Sequence, residues 1–187
     1  MAKSFCIISD HLQHNSDSVF TFQTRLLEQI KSEFPNVSTI HYFSDGASSQ
    51  YKNYKNMVNL CYHKSDFELD AEWNFFATAH GKSPCDGIGG TIKRLVYKTS
   101  LQRPSNDQIL TPQSMYTFCE SNIKGIQFIY VHSNEVIETE KKLILRYAKA
   151  KKIPGIRSQH RFIPVNHNTI KSFAISTSSE SKLFKIY

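Results

Sequence analysis

Several things are missing from this chain, and each absence excludes something. Its 187 residues hold no apolar run approaching the roughly 20 residues of a helical membrane span, so no membrane partner is expected. The opening MAKSFCIISD carries too short an apolar stretch for a secretory signal. Cysteine is sparse, at four. Without a signal those thiols read as buried and reduced rather than as a disulfide framework, and the expected location is intracellular. The GIGG string at 87–90 is no nucleotide-cradling loop either: it has neither the GxGxxG spacing of a dinucleotide fingerprint nor the GK[ST] of a P-loop. Internal repeats and low-complexity linkers are absent, so no firm domain boundary shows. The expected organisation is a core over residues 1–124 with a helix-and-hairpin extension over 125–187. Acidic residues fall short of basic ones, 16 against 23, leaving a net charge of +7. That surplus favours a polyanionic partner, nucleic acid or acidic lipid.

What is present is a globular composition, 40% hydrophobic and 12% aromatic, enough for a core at this length. Residues 5–9 (FCIIS) read as a buried strand ending at Asp10. Residues 19–34 read as a helix with Phe22, Leu26, Leu27, Ile30 and Phe34 on one face. Residues 39–43 are β-branched and aromatic, a strand stopped by the turn chemistry of Ser44-Asp45-Gly46. Strand, helix and strand predict a βαβ unit with Asp10 and Asp45 on one edge of one sheet. After these come a helix over 50–61, a polar connection over 66–71 and a strand over 73–78 holding Trp73, the only tryptophan, as core. A helix then runs from Asp86 to about Lys98, closed by Arg103-Pro104, and a short one covers 114–119. The remainder reads as a strand over 125–131, a charged helix over 134–151, an irregular basic connection over 153–165 and a terminal hairpin.

Cleaving or joining phosphodiesters with two metal ions needs two or three carboxylates converging on a patch about 4 Å across, and oxygen ligands suit Mg2+ or Mn2+. Asp45 at a strand end, Asp86 at a helix start and Asp10 are the candidate acids, with Asp45 and Asp86 the metal ligands. The plainer alternatives are a turn role for Asp45 and a helix cap for Asp86. His80, beside Gly81 and Lys82, is placed to polarise a phosphate or an attacking water. Lys82, Lys93 and Arg94 suit a phosphate held nearby. Gly89 and Gly90 each cost a helix about 1 kcal/mol against alanine, which predicts a close approach of the backbone to another helix or to a phosphate there. Cys61, His63, His80 and Cys85 make a Cys2His2 zinc alternative, though not at finger or ribbon spacing. Lys52 and Lys55 alternate with tyrosines in QYKNYK, the composition of a surface that tracks a phosphate backbone and stacks bases. Arg157, His160 and Arg161 form a second basic cluster.

YFSDGASSQYKN (42–53), AEWNFFATAHGK (71–82) and PCDGIGGTIKR (84–94) together resemble a signature of uncharacterised, transposon-related animal proteins, and CIISDHLQH and IPGIRSQHRFIPV extend the likeness along most of the chain. The order of strand-Asp, helix, strand and Asp-helix is similar to the second half of an RNase H-like DDE transposase core. That resemblance implies an α/β fold with a truncated, mixed RNase H-like sheet flanked by helices and a small C-terminal α+β extension. It implies Asp45 as the second acid and Asp86 as the third, DNA as partner, a nuclear location and a chain that can form a homo-oligomer. The first acid has no clear counterpart: either Asp10 substitutes in a shortened sheet, or the chain is an inactive remnant that still binds nucleic acid.

Overall fold

The computed structural model describes residues 2–76 and 83–187. Their contacts gather into two units, each assembled from two separate stretches of chain: residues 2–12 with 83–136, and residues 13–76 with 137–187. The boundary expected at 124/125 falls inside the first of these. Among the described residues the elements are five α-helices and seven strands, an α/β protein with a mixed sheet and flanking helices.

The first unit rests on two parallel strands, β1 (Ser4–Ser9) and β4 (Ile126–Val131), paired in register from Ser4↔Ile126 to Ser9↔Val131. Helices α3 (Pro84–Gln102) and α4 (Pro112–Asn122) accompany them. Ile8, Ile92, Val96, Ile109, Phe118 and Cys119 form the core, each worth up to about 1.5–3 kcal/mol on burial when large and apolar. α4 starts where a Thr111–Ser114 capping box and Pro112 dictate. α5 (Ser133–Tyr147) begins in this unit and continues into the second.

The second unit holds the five-stranded sheet, in the order β2 (Thr39–Ser44), β3 (Asp70–Phe75), β5 (Arg161–Asn166), β6 (Thr169–Phe173), β7 (Lys182–Lys185). β2 and β3 run parallel, joined through α2 (Tyr54–Phe67), and the rest pair antiparallel. α1 (Ser16–Glu33) starts at Asn15, whose side-chain oxygen accepts the Ser18 amide at 2.9 Å. Met57, Val58, Trp73, Phe162, Ile170 and Ile186 are the centre of the core. Trp73 lies stacked on Tyr42, centroids 4.7 Å apart, and donates its indole N–H to Ser44 Oγ at 2.9 Å.

Three expectations need correction. The βαβ unit exists, but it is β2–α2–β3 and not β1–α1–β2: β1 pairs with β4, so Asp10 and Asp45 do not share a sheet. Apolar runs announce strands without naming their partners, and two equally apolar runs compete for each place. β3 begins earlier than 73, at Asp70, because Ala71, Trp73 and Phe75 alternate inward; residues 77–78 lie outside the described residues. The connection expected over 153–165 contains β5, with Pro164 beside a register shift against β6. Proline cannot donate to a ladder, and the irregularity absorbs it.

Candidate nucleic-acid interface

The three candidate acids each do local work. Asp45, exposed just past β2, accepts the Ala47 amide on Oδ1 at 2.9 Å, and the Ala47 carbonyl in turn collects the amides of Gln50, Tyr51 and Lys52. Asp86 closes the start of α3, its Oδ2 accepting from Ser83 N at 2.8 Å and Ser83 Oγ at 3.1 Å. Asp10 Oδ1 accepts the Ser133 amide at the start of α5. Asp10 and Asp86 belong to the first unit and Asp45 to the second. Among the described residues no three His, Cys, Asp or Glu side chains converge as a metal group requires. His80 and Lys82 lie outside the described residues.

Of the zinc alternative's residues, Cys61 and His63 lie in the second unit. His63 is buried with both ring nitrogens engaged, Nδ1 with the Leu69 carbonyl at 2.7 Å and Nε2 with Tyr42 Oη at 2.9 Å. Burial lowers its pKa and pushes the Cys61 thiol up to about 12. Cys85 is exposed and belongs to the first unit.

The expected nucleic-acid contacts divide sharply. Lys52 is buried, with its ammonium on the Arg157 carbonyl at 2.9 Å and 5.0 Å from the centre of the Phe75 ring. Burial lowers its pKa, since a desolvated ammonium is disfavoured. Lys55 is half-buried over the Tyr147 ring. Arg161 donates from Nε and Nη2 to Glu72 Oε2 at 3.0 and 2.6 Å. These three brace the second unit. Arg157 is exposed, as are Lys93 and Arg94.

The surface of α3 follows from its sequence. Lys93, Arg94, Tyr97 and Lys98 share its solvent side, Tyr97 being 67% exposed, while Ile92 and Val96 face the core. No acidic residue occurs from Gly87 to Gln102. Beside this face, Val96, Tyr97, Leu101, Ile109, Leu110 and Met115 line an apolar cavity of about 330 Å³. Sequence reading had Lys93 and Arg94; it missed that Tyr97 and Lys98, one helical turn on, continue the same row. The spacing was the available signal.

Sequence reading also missed Glu72 and His41. Glu72 gathers Arg161, Asn74 Nδ2 at 3.0 Å and His41 Nδ1 at 2.9 Å. Burial acts to raise its pKa, but the hydrogen bonds from His41, Asn74 and Arg161 outweigh it and hold the carboxyl below the usual range. His41, Glu72, Asn74 and Arg161 lie on three paired strands, and only the strand register brings them together.

A family model matches residues 1–176, and its description is "Domain of unknown function (DUF8701)". No curated protein and no solved structure matches the chain.

Proposed function

We propose a function for this chain, which belongs to the DUF8701 family: it binds nucleic acid, and its fold descends from an RNase H-like transposase core. What supports the descent is the order β2, α2, β3, α3, with β2 and β3 parallel, an aspartate directly after β2 and another in the first turn of α3. What carries the binding is the solvent side of α3, where three cations and a tyrosine stand with no carboxylate among them. Such a row meets phosphates at helical spacing, and its affinity comes from counterion release. Among the described residues no helix is long and apolar enough to cross a bilayer.

The test is fluorescence anisotropy with a labelled DNA duplex across a salt series. Replacing Lys93, Arg94 and Lys98 together by glutamate should weaken binding and reduce the log–log salt slope by about 2.7, near 0.9 per lost phosphate contact. Unchanged affinity in that triple variant sinks the reading. Plasmid nicking with Mg2+ or Mn2+ adds the catalytic arm. Nicking lost in Asp45→Ala and Asp86→Ala would add the cleavage that the resemblance implies, whereas binding that survives both with no nicking belongs to a binding module.

A further inference from the structure

The second unit carries a basic, ring-floored groove that none of the readings above uses. It lies where the β5–β6 turn meets α2 and the end of α5. Two adjoining cavities, about 650 and 500 Å³, share Asn168 and Tyr187 in their linings. Lys149, Lys151 and Lys185 line them together with Arg146, and no acidic side chain does. Asp66 already engages Arg146 in a two-pronged ion pair, at 2.7 and 2.8 Å. Lys151 rests on the main-chain oxygen of Tyr187 at 3.0 Å. Lys149 and Lys185 are exposed and enter no ion pair among the described residues.

The floor of the groove is built from planar groups. His167, exposed at the tip of the turn, lies parallel on Tyr62, with centroids 4.6 Å apart and planes 9° apart. Its Nε2 is hydrogen-bonded to Ser65 Oγ at 2.7 Å, so the ring is held on α2 before anything binds. The Arg146 guanidinium is 4.4 Å from the Tyr62 ring centre, and Tyr187 meets the same ring edge-on. The turn itself is fixed by the Asn168 amide on Asn166 Oδ1 and by the Ile186 amide on the Asn168 carbonyl. A ring anchored on one face and open on the other, rimmed by lysines, suits a partner that alternates flat bases with phosphates. An acidic protein segment would use the lysines and leave the ring without a role.

We propose that this groove binds single-stranded nucleic acid, stacking a base on His167 and placing the flanking phosphates against Lys149 and Lys185. It deepens the nucleic-acid reading above and rests on it for the class of partner, but it uses different residues and a different property, the bases. The experiment compares a short labelled oligothymidine with an abasic strand of equal length and charge. The unaltered protein should bind the oligothymidine about 5- to 150-fold more tightly, the equivalent of one stacked base. His167→Ala should erase that preference and His167→Phe, which keeps a flat ring, should retain it. Lys149→Glu with Lys185→Glu should lower the single-strand salt slope by about 1.4, near 0.7 per contact. Equal binding of the two strands by the unaltered protein, or equal competition by a polyglutamate of matched charge, overturns the groove. Neither result touches the α3 reading, which stands or falls on duplex binding by the α3 triple variant.

Discussion

At the scale of single residues, each candidate acid holds a backbone amide, and Glu72, which no motif marks, is a hub. Asp45, Asp86 and Asp10 each satisfy a backbone amide that a turn or a helix start would otherwise leave open. Replacing Asp86 by alanine removes the bond from the Ser83 amide and a carboxylate from the first turn, and should cost about 0.5–1.5 kcal/mol, visible as a lower urea midpoint. Glu72 makes a pH prediction. Its folded pKa lies below the unfolded value, so its contribution is complete above the ordinary glutamate pKa and is lost as the pH falls through the depressed one. Glu72→Gln should destabilise the protein at neutral pH by about 1.5–3 kcal/mol, the range for hydrogen bonds to a charged group. It should also flatten the acid limb of a stability–pH curve. An acid limb unchanged in Glu72→Gln would mean that the His41–Glu72–Arg161 cluster contributes nothing to folding.

At the scale of elements, the glycines of α3 are expected to admit another helix or a phosphate, and no helix packs on them among the described residues. Among the described residues no heavy atom lies within 4 Å of a Cβ built on Gly89 or Gly90. Gly89→Ala and Gly90→Ala should each stabilise the chain by about 0.4–1 kcal/mol, read from thermal or urea unfolding. If a phosphate backbone approaches α3 there, the same substitutions will weaken duplex binding while raising stability, a split that packing alone does not produce. Gly125 behaves oppositely. Its φ of +80° just before β4 is a left-handed conformation, so Gly125→Ala should cost about 1–2 kcal/mol although there is room for a methyl group. In the sheet, Phe162 is wholly buried and meets Phe75 edge-to-face at 5.8 Å. Phe162→Ala should cost about 3–5 kcal/mol.

At the scale of the whole molecule, the charge surplus of +7 makes a kinetic prediction. Association with an oligonucleotide should slow as salt screens the steering field, and dissociation should quicken as cations return to the phosphates; stopped-flow mixing separates the two. The sequence by itself determined the elements: period-3.6 apolar faces, caps such as Thr111 with Pro112, and β-branched runs are local properties, so five helices and most strands were legible with ends shifted by a few residues. It also determined the charge, and through Lys93 and Arg94 half of the α3 row. Only the tertiary structure decided which strands pair, that Lys52 is buried, that Glu72 collects three partners and that His167 lies on Tyr62. The reason is physical. Strand pairing and side-chain clustering join residues distant in sequence, chosen by competition among many similar apolar surfaces, and no local pattern records the winner.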